Sequence, residues 1–422
     1  MIRSFETHHV GPASHLRAEF GSRLNLMTGD NGLGKSFLLE ALWWALTRGW
    51  RTEVAVPKRA HHGDAAIEAT FDGKVRVART VGRFEAKAQR WVAARGQPPK
   101  PGLVIYAAAD GGFSVWDPLR HHGSSRYVSD FLAVPFQTSH VFDRGSLWNG
   151  LRAAPDGAVL CRGLIEDWVA WQRDDDDRFE ALTQVLGVLS TGTERLRPGR
   201  PTRVLIGDAR VFPTLRLPYG TEPVTHVSAG AQRIISLAYL LVWSWYEHQE
   251  AARLTGEQTT PSVIFLFDEI EAHLHPRWQR HLLPSLLEVV RVLSGAQGVQ
   301  LIGATHSPLL CSSVETIVDD RWDKLFTLDL IRVKNSVEVN LKQVPWGPMG
   351  AVDDWLKSDL FDLTSTRSIE AESVLKQASE VARMKEPTVQ ELAAVTSRLQ
   401  RAISPTDPFW ARWELITSRA SG

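Results

Sequence analysis

The chain has 422 residues, enough for two or three ordinary domains or for one large α/β domain with insertions. Lys plus Arg and Asp plus Glu both number 48, so whole-chain charge favours no polyanionic partner and any such site must be a local patch. Cys161 and Cys311 lie far apart, which excludes a zinc ribbon, argues against a disulfide framework and fits a reducing cytosol. The N-terminus lacks a signal-peptide design and no stretch reaches the ~18 apolar residues of a membrane span, so a cytoplasmic protein without membrane contact is expected. The sixteen tryptophans are scattered and read as core.

In chain order, residues 2–20 offer two short strands, and residues 24–28 (LNLMT) form an apolar strand feeding a glycine-rich turn. Residues 35–47 follow as an apolar helix. Residues 48–100 hold twelve Lys or Arg against five Asp or Glu, with strand-like alternation. These cations can meet a phosphate backbone if they share one face, but a solvated strand surface accounts for them better. Short strands alternate with turns over residues 103–151. The pattern becomes helical over 162–189, around the four aspartates 174–177, which are expected to sit in solvent.

Strands are expected over 202–216, a turn at 218–220, and a buried helix over 234–245. Two apolar strands of the parallel type, 262–267 and 299–304, flank a helix from about residue 277 to 294. Pro284 should kink that helix or mark its start. Two helices are expected from residue 368 onward, with Pro387 in the first turn of the second.

Four motifs carry chemistry. Residues 29–36, GDNGLGKS, match the phosphate-binding pattern G-x-x-x-x-G-K-[ST] between a strand and a helix. Asn31, Gly32 and Gly34 turn backbone N–H groups inward around phosphates, Lys35 reaches the β- and γ-phosphates, and Ser36 sets its hydroxyl on Mg²⁺. Residues 263–269, VIFLFDE, end an apolar strand in two carboxylates: Asp268 as Mg²⁺ partner and Glu269 placed to polarise the attacking water. His306, 38 residues after Asp268 in THSP, ends what should be an adjacent strand, where a histidine can donate to a γ-phosphate. In residues 228–233, SAGAQR, Ser228 is a natural N-cap and Gly230 lets the backbone approach an anion. That helix belongs to a different lobe from the glycine-rich turn, so using it on the same phosphates needs a second subunit.

Together these motifs resemble the ABC-type ATPase core, with GDNGLGKS as Walker A, SAGAQ as a partial signature, FLFDEIEAHLHP as Walker B and ATHSP carrying the switch histidine. The wording DEIEAHLHPRWQR followed by ATHSP resembles the OLD, RecF-like and SMC-like ATPases of the wider AAA class rather than transporter subunits. The resemblance implies that Lys35, Ser36, Asp268, Glu269 and His306 serve one ATP. Ser228 and Gly230 would serve the γ-phosphate of the partner's ATP, in a homodimer or a higher homo-oligomer of dimers. It also implies a glutamine sensing Mg²⁺ and water, for which Gln137 is the candidate against Gln89 and Gln97.

No Toprim pattern follows His306: Asp319, Asp320 and Asp323 lack a flanking strand pattern. The 191 residues between Ser36 and Ser228 are too few for coiled-coil arms. Stripped ATPases of this kind resemble the ATPase subunits of bacterial anti-phage systems, which gate a separately encoded nuclease or toxin. The alternative is a DNA-repair or DNA-end ATPase acting directly on nucleic acid.

His273 and His275 with Glu271 could suggest zinc, but the HLHP segment is expected to pack beside Walker B instead. The pairs His61–His62 and His121–His122 lack partners at ligand spacing. The expected fold is α/β, an ABC-type P-loop NTPase core. Its parts are an N-terminal lobe with Walker A (1–160), a helical insertion with linking strands (161–225), a second lobe with signature, Walker B and switch histidine (226–345), and a helical C-terminal extension (346–422).

Overall fold

The apolar runs beside the glycine-rich turn become neighbouring strands of one eight-stranded sheet in the computed structural model. It describes residues 1–58, 63–72, 77–93, 101–121, 139–153, 157–192, 194–260, 262–294, 298–333, 336–384 and 387–420. At the sheet's centre Leu24–Gly29, Val299–Ala304, Val263–Asp268 and Leu103–Ala107 lie side by side and parallel. All four are buried almost throughout, which explains their unbroken apolar sequence. Lys324–Val333 adds in parallel beside Leu24–Gly29, and Ser336–Val344 closes that edge antiparallel. Phe113–Trp116 and His140–Phe142 extend the opposite edge antiparallel.

The strand Lys324–Val333 was not expected from sequence, and it corrects the reading of Asp323 as lacking a flanking strand. Asp323 is fully buried just before that strand. It accepts hydrogen bonds from Arg23 Nε at 2.9 Å, Leu24 N at 3.0 Å and Asp319 N at 2.8 Å, so its carboxylate fastens the start of the glycine-turn strand.

A second sheet, antiparallel and five-stranded, runs in the order His15–Glu19, Ile2–His8, Ala66–Phe71, Ala78–Glu85, Arg90–Ala93. The helix Lys35–Thr47 joins the two sheets: one buried cluster takes Leu38, Leu42, Trp43 and Trp44 from it, Phe5, Ile67 and Trp91 from the second sheet, and Ile264, Leu266 and Ile302 from the first. Trp44 stacks on Trp50 with centroids 6.0 Å apart. These tryptophans therefore serve packing.

The helices Leu164–Arg173 and Asp177–Leu189 precede short strand pairs and the 27-residue helix Ala229–Thr255. Among the four aspartates, Asp176 caps the second helix through Arg178 N at 2.8 Å, and Asp174 pairs with Arg173 at 2.8 Å. Tyr239 of the long helix donates to the buried Asp167 at 2.7 Å and so anchors the first of the pair. The helix Pro276–Ser294 starts at Pro276 and carries Pro284 in its interior, so Pro284 does not mark its start.

Contacts divide the chain into Met1–Val352 and Asp353–Gly422. The second unit has Ile369–Val381, Val389–Ala402 and Phe409–Ala420 around Val374, Leu392, Leu399 and Trp413: three helices from residue 368 rather than two. Pro387 precedes the cap instead of entering the first turn. Thr388 is the N-cap, accepting from Glu391 N at 3.3 Å while Glu391 accepts from Thr388 N at 2.9 Å.

Gly303 is the tightest point of the central sheet. A Cβ there would stand 1.9 Å from the Phe267 ring, one residue before Asp268. Gly303→Ala is expected to cost about 1–3 kcal/mol through overpacking, read as a lower thermal midpoint and denaturant midpoint.

Candidate functional site

The glycine-rich turn is shaped by close approach. Gly29 has φ +124°, and a Cβ on it would lie 2.4 Å from Leu328 O; Gly34 has φ +95°, and a Cβ would lie 2.3 Å from Pro12 Cγ. No larger residue fits either position. Gly32, at φ +79°, meets nothing within 4 Å, and it and Asn31 are exposed. The helix that follows has no side-chain cap, so its leading N–H groups are left for another acceptor. Lys35 folds back under the turn, its Nζ donating to Gly29 O at 2.7 Å and Asp30 O at 2.8 Å. Burial pulls its pKa below the usual lysine value, opposed by Glu269, Asp268 and Asp30.

Strand register brings the other motifs to the same edge. Asp268 is level with Ala304, and Ala304 with Met27. Asp268, Glu269, Thr305 and His306 thus emerge beside the glycine turn. Asp268 is buried beside Ser36; burial raises its pKa, the Ser36 hydroxyl opposes this and the Glu269 charge adds to it. Its Oδ1 is buried without a hydrogen-bond partner. An orphaned carboxylate oxygen next to a serine hydroxyl is an oxygen-donor pair suited to a hard divalent cation, so Ser36 and Asp268 fit Mg²⁺.

Glu269 is held at φ +46°, a left-handed conformation costly for a side-chain-bearing residue, by its N–H donating to Ala304 O at 3.0 Å. Its Oε1 lies 3.4 Å from His306 Nε2, and both side chains are partly open to solvent. Burial, followed by the Lys35 charge, lowers the pKa of His306, which favours the neutral ring.

Two residues of this arrangement were not singled out from sequence for these positions. Glu271, buried, accepts from Thr305 Oγ1 at 2.6 Å and His306 N at 3.0 Å, fixing the histidine loop; burial raises its pKa. Its carboxylate is thereby turned toward Thr305 and His306, the signal being its place two residues after Glu269. Arg233, in the helix Ala229–Thr255, donates to Ile270 O at 3.1 Å, Glu269 O at 3.3 Å, Ala108 O at 3.2 Å and Ala109 O at 3.4 Å. It ends the SAGAQR motif, where only the first residues drew notice.

Ser228 caps this helix, accepting from Ala231 N at 3.3 Å, and is exposed; Gly230 follows against the HLHP loop, where a Cβ would meet His273 O at 3.3 Å. Gln137 and Gln97 lie outside the described residues, as do His61, His62 and His122. Gln89 sits in an exposed turn, donating to Ala86 O at 2.6 Å.

Arg233→Ala would leave buried carbonyls at the glutamate loop unsatisfied, at about 1–3 kcal/mol. We expect a lower thermal midpoint and a lower kcat, with nucleotide affinity nearly unchanged because Lys35 is untouched; melting curves, kcat and a fluorescent-nucleotide titration check this.

Residues 220–311 match the family described as AAA ATPase domain, and residues 2–100 match the family described as AAA domain. The chain is 20% identical to the Septu protein PtuA of Bacillus thuringiensis over 395 residues, 87% of this chain and 86% of that protein. It is 30% identical over 100 residues to the Retron Ec83 probable ATPase of Escherichia coli, a match spanning 24% of this chain but only 15% of that relative. Among solved structures, the SMC head domain from Thermotoga maritima aligns over 82% of this chain and 99% of its own at 13% identity and TM-score 0.41. The Smc head domain with an extended coiled coil from Pyrococcus furiosus aligns over 82% and 96% at 11% identity and TM-score 0.43. The glycine-rich turn, carboxylate pair and histidine stand together at one edge of a parallel sheet, and both matched segments fall in AAA families, so the chain is an ATPase similar to AAA domains over those segments.

Proposed function

We propose that one ATP is bound by Lys35, Ser36 and the backbone of Asn31, Gly32 and Gly34, with Glu269 polarising the attacking water and His306 reading the γ-phosphate. Ser36 and Asp268 would hold Mg²⁺, which supplies charge neutralisation on the phosphate oxygens. Ser228 and Gly230 would close on the γ-phosphate of ATP held by a second copy, giving a head-to-tail homodimer or a higher assembly of such dimers. The observation that carries this reading is the convergence of the turn, Asp268, Glu269 and His306 at one strand edge, with Asp268 Oδ1 buried and unpaired. The exposure of Ser228 at a capped helix start supports its use by a partner.

Opening and closing of this clamp would regulate a separately encoded nuclease or toxin in cytoplasmic anti-phage defence. Support comes from the motif resemblance and from the similarity to a Septu protein along most of the chain. Among the described residues no helix is long and apolar enough to cross a membrane. Direct action on nucleic acid receives less support: Arg3, Arg17, Arg79 and Arg90 of the antiparallel sheet are each paired with a carboxylate.

Size-exclusion chromatography with light scattering, alongside ATP turnover, tests the proposal. Glu269→Gln should dimerise with ATP and Mg²⁺ while turnover falls about 100-fold or more; turnover at the parental rate would refute the water-polarising assignment. Lys35→Ala should weaken nucleotide binding about ten- to hundredfold, the worth of charged hydrogen bonds. Ser228→Arg should bind ATP yet stay monomeric, and a dimer at parental strength would remove Ser228 from the interface. Turnover stimulated by duplex DNA with a steep salt dependence would favour the nucleic-acid reading.

A further inference from the structure

The hairpin of Ile2–His8 and His15–Glu19 carries three side chains with no part in the ATP site. Its pairing sets His8 directly opposite His15, and alternation along the strand puts Glu6 on the same face as His8. The two imidazole rings stack with centroids 4.7 Å apart and planes 20° apart. Both Nε2 atoms converge on a single oxygen, Glu6 Oε1, at 2.5 Å from His15 and 3.4 Å from His8. Among the described residues this is the one group of three such side chains with its ligand atoms all within 4.8 Å of one another.

We propose that Glu6, His8 and His15 form a site for a divalent transition-metal ion of the zinc class, bound through the two imidazole Nε2 atoms and the Glu6 carboxylate. Nitrogen and oxygen donors sit about 2.0–2.2 Å from zinc, which places neighbouring donors of a tetrahedral site about 3.3 Å apart. The separation of His8 and Glu6 already matches that spacing. His15, half exposed, needs only a side-chain rotation to open its own. Imidazole donors select zinc-class ions over Mg²⁺ and Ca²⁺, which take oxygen ligands.

Local charge agrees with a cation. Arg17 pairs with Glu19 and Arg79 with Glu68, and although Arg17 still acts on Glu6 from a distance, the groups in direct contact with the Glu6 carboxylate are the two imidazoles. The three protein donors leave a fourth position for water or another ligand. The ion would also tie the two strands together at the base of a turn that leans on the phosphate loop: Pro12 abuts Gly34, Gly11 abuts Phe37, and Ser14 donates to Glu338 at 3.0 Å.

The test is calorimetric titration of the tag-free full-length chain with Zn²⁺, without nucleotide and in excess Mg²⁺, together with the visible absorption of the Co²⁺ form. The parent should take up a single equivalent, with Co²⁺ bands of the intensity that marks low coordination number, and Zn²⁺ should raise its melting temperature. His8→Ala combined with His15→Ala should abolish all three effects while melting like the metal-free parent. Should the double variant fail to fold, His15→Gln gives the same comparison and should weaken Zn²⁺ binding tenfold or more. Asp268→Asn should keep the equivalent, separating this site from the one at Ser36. Absence of saturable binding in the parent, binding unchanged in the histidine variants, or loss of binding in Asp268→Asn would each overturn the proposal.

Discussion

Leu26, Gly303 and Phe267 stand side by side in the central sheet, locked by a parallel ladder that then brings Met27, Ala304 and Asp268 level. One residue of strand is about 3.3 Å. A slip of one position between these strands would move Asp268 and Ala304 by that distance against Met27, and would turn the side chains that follow to the opposite face. The ladder thus sets the distances at the site before any polar side chain acts. Its strength comes from burial, since the three strands are covered on both faces and have little alternative to pairing with one another.

Polar ties then fix the loops that leave this ladder. Glu271 holds Thr305 and the His306 backbone, and Arg233 reaches from another helix to the carbonyls of Glu269 and Ile270. Glu271 is buried and Arg233 half-buried, so each is useful only while its partners stay in place; losing one leaves an uncompensated group in a low-permittivity environment. Glu269 can hold its left-handed backbone because its surroundings over-determine it. Arg233 matters further because the helix that carries it is capped by the exposed Ser228, so one helix links that cap to the backbone of the glutamate.

The antiparallel sheet meets the site by a different route. Its first hairpin presses Gly11 and Pro12 onto Phe37 and Gly34, and its inner face joins the tryptophan-rich cluster under the same helix. The glycine-rich turn is therefore clamped between the hairpin on one side and Leu328 of the neighbouring strand on the other. Glycine is required at Gly29 and Gly34 for lack of space as well as for φ. Glu6, His8 and His15 face one another across the two strands of that hairpin.

Much of the site could be read directly from the chain. GDNGLGKS between an apolar strand and helix, DE after VIFLF, and H after VQLIGAT are local patterns in which the residue, its neighbours and the element boundary appear together within a few positions. The bounds Lys35–Thr47 and Val299–Ala304 agree with the unbroken apolar runs of those segments. Three things depended on the tertiary structure. Lys324–Val333 forms a strand because an open parallel edge beside Leu24–Gly29 accepts it, although its own sequence alternates too weakly to announce it. Asp323, Glu271 and Arg233 are charged residues in polar surroundings of sequence, and only burial among specific backbone groups tells a fastening carboxylate or guanidinium from a solvated one. Glu6, His8 and His15 meet across a hairpin whose register no local pattern specifies. Sequence determined what each segment could form, because propensity and periodicity act over a few residues; the fold decided which distant groups meet, because hydrogen bonds and electrostatic shifts depend on distances that only packing sets.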